Sequence, residues 1–198
     1  MGNSPSNTND AHPPLLSQES LNFVVDKTQA SKEDVEAQYN NFLREYPDGK
    51  IDAKGFQDMM KKCYPDQDIS KVEKHVFRMY DQNANGSIEF REFMIVLTVL
   101  SKGTPRENLE QIYRIFDIND DGEISKKEIY RVVKDLFGLM GKEDNPTNAT
   151  DKCLAELAFK EMDKDGDSKV TKAEFITACE SHEKISSMLA LKIVDIFV

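Results

Sequence analysis

Three twelve-residue stretches of this chain place oxygen-bearing side chains at positions 1, 3, 5 and 12, the spacing with which a loop wraps a hard divalent cation. They run from Asp81 to Glu92, from Asp117 to Glu128 and from Asp163 to Glu174. In the first, Asp81, Asn83 and Asn85 supply side-chain oxygens, Gly86 makes the sharp turn at position 6, the Ser87 carbonyl faces inward and Glu92 closes the site bidentately. In the second, Asp117, Asn119 and Asp121 precede Gly122; the Glu123 carbonyl stands at position 7, Ser125 at position 9 acts through water, and Glu128 closes. The third offers Asp163, Asp165, Asp167, the Lys169 carbonyl and Glu174, with more formal negative charge than the others. Its position 6 is Ser168, and a residue with a Cβ is held at positive φ only at a conformational cost. The chemistry implied is calcium binding at three sites, the one at 163–174 weakened rather than abolished.

A fourth stretch, residues 44–55, has the framework of such a loop without its ligands. With Ile51 at position 8, Arg44 falls at position 1, Tyr46 at 3, Pro47 at 4, Asp48 at 5 and Gly55 at 12. A cation would meet a guanidinium and find no bidentate carboxylate, so this loop is expected to be metal-free and structural. Ile51 can still pair with Ile88 in a short bridge between adjacent loops, and Ile124 with Val170 in the other pair. One acidic, glycine-containing turn is an ordinary helix connection; three full-length matches flanked by amphipathic segments are not.

The elements that must position these loops read as helices. Phe56, Met59, Met60, Cys63 and Tyr64 fall at i, i+3, i+4, i+7 and i+8, and Ile129, Val132, Val133, Leu136, Phe137 and Met140 repeat the pattern. Helices are expected over 31–44, 53–63, 69–80, 90–100, 106–116, 126–140, 149–162 and 172–180. The fold class is all-α: four helix–loop–helix hands in two paired lobes, with short loop–loop β bridges and a C-terminal helix. Residues 1–30 form an N-terminal arm with a short helix, 31–101 an N-lobe holding the inactive and the first active hand, 102–180 a C-lobe, and 181–198 a C-terminal docking helix. The connector Ser101 to Thr104 is short and contains Gly103, which keeps the lobes close.

The chain has 198 residues and a formal charge of −10, with a pI near 4.9. No basic stripe exists to replace phosphate counterions, which argues against nucleic acid. Cys63, Cys153 and Cys179 are odd in number and widely spaced, and no cleavable apolar leader or membrane-spanning run is seen, so a cytoplasmic chain with reduced, core-buried thiols is expected. His75 lies at helical spacing with Val72, Val76, Met79 and Tyr80 and is expected to be a partly buried helix-face residue. His12, His75 and His182 form no nucleophile or metal arrangement, and nothing suggests an enzyme.

The first six residues, Met1-Gly2-Asn3-Ser4-Pro5-Ser6, fit the pattern for myristate on Gly2. One such chain gives marginal membrane affinity without a second signal, and the first 26 residues hold three acidic and no basic residues. Reversible peripheral association is therefore expected.

Taken together, the Gly2 pattern, a proline-containing dead first loop, three live loops and a C-terminal helix resemble the neuronal calcium sensor family of EF-hand proteins. Asp48 to Gln57 and Leu189 to Val198 are most similar to its frequenin branch, although Tyr46 stands where the family usually has cysteine and Gln38-Tyr39 where tryptophan is common. The resemblance implies a calcium sensor that engages membranes and target proteins such as kinases, cyclases or channels. Glu92, Glu128 and Glu174 each begin an exiting helix, so recruiting them to calcium would swing that helix and open apolar surface beneath it. Phe42, Phe56, Met59, Met60, Tyr64, Phe77, Met79, Phe93, Met94 and Leu97 are the candidates for a groove that takes an amphipathic target helix, although each taken singly suits the core. The competing reading is a cytosolic calcium buffer, which would bind without opening.

Overall fold

The computed structural model describes residues 14–66, 68–139, 148–182 and 185. Gly2, residues 140–147 and nearly all of the expected docking helix at 181–198 lie outside them. Within the described residues run α1 (Gln18–Thr28), α2 (Lys32–Glu45), β1 (Lys50–Asp52), α3 (Ala53–Cys63), a 3-10 turn (Ile69–Lys71), α4 (Glu73–Tyr80), β2 (Ser87–Glu89), α5 (Phe90–Lys102), α6 (Pro105–Phe116), β3 (Glu123–Ile124), α7 (Lys126–Leu139), α8 (Asn148–Met162), β4 (Val170–Thr171) and α9 (Lys172–Ser181). The class is all-α with small β bridges.

Helix starts follow capping chemistry. Ser17 and Ser31 hydroxyls accept the Ser20 and Asp34 N–H groups, each at 3.1 Å, and the Asp52 carboxylate accepts that of Gly55 at 2.7 Å. Thr104 and Glu107 form a capping box ahead of Pro105, which suits the first helical position because it has no N–H to leave unpaired.

Contacts divide the chain into two compact units, Met1–Lys50 and Ile51–Val198. In the first, α1 packs on α2, burying Leu21 and Val24 of one and Val35, Tyr39 and Phe42 of the other. The Tyr39 hydroxyl donates to the Pro14 carbonyl at 2.7 Å, fixing the chain that enters α1.

In the second unit, β1 pairs with β2, and β3 pairs antiparallel with β4, setting Ile124 opposite Val170 and Glu123 opposite Thr171. Ile51, Ile88, Ile124 and Val170 are fully buried, so the residue at position 8 of every loop is a core residue as well as a strand residue. Around them α4 packs on α6, α6 on α9, and α7 on α8. Phe116 and Phe175 meet at 5.6 Å between α6 and α9, and Phe56 and Phe77 at 5.5 Å between α3 and α4. Each fully buried phenylalanine contributes about 1.5–3 kcal/mol over its exposed state.

Three expectations need correction. The helix expected over 69–80 is broken: Asp68 accepts the Ser70 N–H at 3.2 Å and starts a 3-10 turn, and α4 begins only after Val72. Asp68 competes with the helix for that N–H group. Of the three thiols only Cys179 is in the core, where burial pushes it up to about 12; Cys63 and Cys153 are exposed, Cys63 as the last residue of α3. Finally, His75, expected to be partly buried on its helix face, is almost completely buried at 1% exposed.

Gly103 acts differently from a turn glycine. Its φ is −68°, open to any residue, but a Cβ there would collide with the Val99 carbonyl, to which the Gly103 N–H already donates at 2.7 Å.

Candidate metal centres

Each of the three loops is built from backbone N–H groups folded onto carboxylates. At position 1, the two oxygens of Asp81 accept the Asn85 and Gly86 N–H groups at 3.0 and 2.9 Å, and those of Asp117 accept Asp121 and Gly122 at 3.2 and 3.0 Å. Asp163 accepts Gly166 at 2.9 Å and Ser168 at 3.2 Å. Asn85, Asp121 and Asp167 at position 5 each accept the N–H of position 7, namely Ser87, Glu123 and Lys169. These bonds curl the chain so that the remaining lone pairs and the position-7 carbonyl can turn toward one centre.

The position-12 glutamates carry two tasks at once. Glu92 Oε1 accepts Gln82 and Asn83 N–H groups at 3.0 and 3.1 Å, while Oε2 accepts that of Glu89 at 2.9 Å. Glu128 repeats this with Ile118, Asn119 and Ser125, and Glu174 with Lys164 and Thr171. Each glutamate is the third residue of its exiting helix, so its carboxylate closes the helix cap at position 9 and ties that helix to the loop's first turn. The signal was in the sequence: Glu89, Ser125 and Thr171 precede Glu92, Glu128 and Glu174 by three residues, the capping-box spacing. Ser125, expected to act through water, gives its hydroxyl to Glu128 at 2.6 Å.

Two residues per loop adopt positive φ, at positions 4 and 6. They are Ala84 (53°) and Gly86 (80°), Asp120 (56°) and Gly122 (83°), then Gly166 (76°) and Ser168 (71°). Ser168 is held at positive φ as its position requires, but Gly166 takes the left-handed position that Ala84 and Asp120 fill with a side chain elsewhere. The third loop carries one non-glycine residue in this region, the same number as its neighbours. The conformational cost at Ser168 is thus real, but the glycine at position 4 spares this loop the one its neighbours carry there.

Burial and charge then separate the loops. Asp81, Glu92 and Asp117 are 8%, 2% and 5% exposed. Burial pushes Glu92 up, and the carboxylates of Glu89 and Asp81 add to it; burial likewise raises Asp117, with Asp121 and Asp120 adding repulsion. Asp121 is lowered by the Asn119 side-chain amide. At Glu174, burial acts upward, but hydrogen bonds from the Thr171 backbone and hydroxyl outweigh it and the net shift is down. Asp163, Asp165 and Glu174 bring one oxygen each within 4.8 Å of one another. This all-oxygen donor set of crowded carboxylates, amides and carbonyls fits calcium, whose charge would reverse the repulsion that burial amplifies.

The loops at 117–128 and 163–174 are joined by more than their β bridge. Lys169 pairs with Glu123 across the two position-7 residues. The Tyr113 hydroxyl donates to the Gly122 carbonyl at 2.7 Å, and Lys172 Nζ lies 5.6 Å from the Tyr113 ring centre. Tyr113 was not legible as a loop residue because it precedes Asp117 on α6.

In the remaining loop, Gly49 keeps the positive φ of position 6 at 73°, and its N–H donates to the Tyr46 carbonyl at 2.9 Å. The turn survives without the ligands.

The groove candidates split by exposure. Phe42, Phe56, Met60 and Met79 are buried, whereas Met59, Tyr64, Phe77, Phe93 and Met94 are half-buried and Leu97 is exposed. Tyr80 stacks on Phe93 at 5.9 Å and meets Phe56 at a tilt at 5.7 Å, linking the buried and half-buried members in the second unit. Among the described residues no helix is long and apolar enough to cross a membrane.

Comparison with known proteins bears on this geometry. A family model described as the EF-hand domain pair matches residues 69–134 and 106–180. Human recoverin is 31% identical over 194 residues, 96% of this chain and 93% of recoverin. S-modulin from Aquarana catesbeiana is 30% identical over 178 residues, 88% of each chain. With its hands spaced as the loops require and likeness along nearly its whole length, the chain belongs to the neuronal calcium sensor family of EF-hand, calcium-binding proteins.

Proposed function

We propose that this protein is a calcium sensor in which loops 81–92, 117–128 and 163–174 take the ion, loop 44–55 does not, and the resulting helix movement presents apolar surface to a target. The residues that would hold calcium are Asp81, Asn83, Asn85, Ser87 and Glu92; Asp117, Asn119, Asp121, Glu123 and Glu128; and Asp163, Asp165, Asp167, Lys169 and Glu174, with Ser87, Glu123 and Lys169 acting through carbonyls. The observation that carries the reading is the double engagement of each position-12 carboxylate, with its helix cap and with the loop's first turn. Drawing that carboxylate to a cation moves the helix start with it.

The surface offered to the target centres on the half-buried Phe93 and Met94 with exposed Leu97 on α5, flanked by Met59, Tyr64 and Phe77. An amphipathic target helix from a membrane-associated kinase, cyclase or channel is the proposed occupant. Myristate on Gly2 would supply reversible membrane association, and the segment 181–198 an internal docking helix. Within the family, Asp48 to Gln57 and Leu189 to Val198 favour the frequenin branch.

The test is a calcium titration of the full chain by calorimetry, paired with binding of an environment-sensitive apolar dye and of a model amphipathic helix. Three calcium equivalents with a calcium-dependent rise in both are expected. Unchanged dye and helix binding on calcium loading would make the protein a buffer.

A further inference from the structure

His75 is a buried titratable group that the calcium loops do not use. It is 1% exposed on α4; its Nε2 lies 2.8 Å from Asp135 Oδ2 on α7, and its Nδ1 lies 3.0 Å from the Arg78 terminal nitrogen. A guanidinium only donates, so Nδ1 must accept. The ring's single proton then belongs on Nε2, donated to Asp135, and the neighbours thereby fix a neutral tautomer.

The same Arg78 nitrogen donates to the Ile115 carbonyl at 3.0 Å, two residues ahead of Asp117. Arg114 returns the contact, donating to the Gln82 carbonyl at 3.0 Å beside Asp81. Between them lies a cavity of about 50 Å³ lined by Arg78, Asp81, Ala84, Arg114, Asp117 and Asp120. Among the described residues the buried Nε atoms of Arg78 and Arg114 have no hydrogen-bond partner, so each guanidinium is held there through its terminal nitrogens. Each entering helix thus grips the mouth of the other hand's loop, and Arg78 is steadied by an imidazole that a proton can convert from acceptor to donor.

We propose that His75 and Arg78 are a proton-sensitive positioning pair: the neutral ring holds Arg78 on the Ile115 carbonyl and keeps the entrance of loop 117–128 set for calcium, while a proton on Nδ1 ejects Arg78 and lowers that loop's affinity. This rests on the reading that loop 117–128 takes calcium.

The charged groups acting on the ring are Asp135 from α7 and Arg78 and Lys74 from α4. Those acting on Arg78 are Asp117, Asp120 and Glu128 of the loop and Arg131 of α7. Burial, opposed by the Asp135 hydrogen bond and reinforced by Arg78 and Lys74, holds the imidazole below its ordinary value. The packed ring binds fewer protons than a free one, so the pair is closed above pH ~6.5 and opens as pH falls from there through the lowered value. Calcium in the loop adds positive charge on the Arg78 side, so proton and calcium oppose one another.

The experiment uses the full chain carrying Glu92→Gln and Glu174→Gln, which leaves loop 117–128 as the site under study, with and without His75→Asn. The amide oxygen of the asparagine can accept from Arg78 but does not titrate. As pH falls from 7.5 through the range in which nitrogen-15 spectra show the His75 ring taking up its proton, calcium affinity is expected to fall about threefold or more further with histidine than with asparagine, the ligand carboxylates contributing equally to both. Parallel pH profiles overturn the proposal while leaving the site intact; absence of calcium binding at pH 7.5 overturns the site reading and the proposal together. Nitrogen-15 spectra of the His75 ring in the otherwise unsubstituted protein give a readout independent of the variants. An Nε2–H neutral ring at pH 7.5 is expected, and an Nδ1–H or charged ring there sinks the proposal.

Discussion

Loops 117–128 and 163–174 face each other across one β bridge and still solve the same problem in different ways. The first enters through a nearly buried Asp117 whose pKa is raised; the second enters through a half-exposed Asp163 and closes with Glu174, whose pKa is lowered. One puts its glycine at position 6 and tolerates Asp120 at position 4; the other puts Gly166 at position 4 and tolerates Ser168 at position 6. The lesson is that ligand count alone does not rank the sites. A carboxylate held against its charge gains more from a cation than one whose charge is already met by N–H and O–H donors.

The largest expected effect comes from breaking the bridge that the two loops share. Ile124 is fully buried opposite Val170, and Ile124→Ala should cost about 2–5 kcal/mol of unfolding free energy in denaturant titrations. If the loops are as linked as the Lys169–Glu123 pair and Lys172 over the Tyr113 ring suggest, calcium affinity should fall at both, not only at the loop that lost its methyl groups. A loss confined to 117–128 would show that the bridge is packing alone.

Removing one closing carboxylate separates the loops more cleanly. Glu128→Gln and Glu174→Gln keep a capping box, because glutamine can serve at that position, but each removes the carboxylate proposed to give calcium both its oxygens. Each should weaken calcium at its own loop by at least about 100-fold, more than loss of an outer partner costs. Calorimetry should lose one equivalent in each variant. Equal calcium stoichiometry before and after Glu174→Gln would mean that loop 163–174 is a frame like 44–55.

How much of this was legible in the sequence depended on whether the determinant lay within one loop. Positions 1, 3, 5 and 12, the position-8 core residues and the helices that flank them follow from local spacing, and the structure has Ile124 opposite Val170 as the spacing required. The capping boxes at 89–92, 125–128 and 171–174 were legible too, though the same glutamates read first as candidate calcium ligands. By contrast, the Arg78–Ile115 and Arg114–Gln82 contacts join different hands, and no periodicity within one helix encodes them. The break before α4 turned on a single aspartate at 68, and the exposure of Cys63 on its place at a helix end.

Moving the glycines tests the conformational half of the comparison at a smaller scale. Ser168→Gly should stabilise the protein by about 1 kcal/mol, because Ser168 stands at φ 71°, where a Cβ is disfavoured. Gly122→Ser at φ 83° should cost about the same. If Ser168→Gly also tightens calcium at its loop, strain relief is transmitted to the ligands; if stability rises with affinity unchanged, positions 4 and 6 shape the turn without tuning the site.

The smallest effect is a pair of opposite pH responses in the metal-free protein. Asp117 is raised in the fold, so the folded state takes up a proton before the unfolded chain does; as pH rises from the ordinary aspartate value through the raised one, this group's contribution to stability falls. Glu174 is lowered, so its contribution is present above the ordinary glutamate value and is lost as pH falls through the lowered one. Carboxyl carbon-13 titrations of the metal-free chain should therefore find Asp117 above its ordinary value and Glu174 below its own. Saturating calcium should carry Asp117 downward by the larger amount, because the cation there replaces repulsion, whereas at Glu174 it replaces hydrogen bonds that already favoured the charge. Equal calcium-induced shifts at the two residues would remove electrostatic crowding as the property that tells these loops apart.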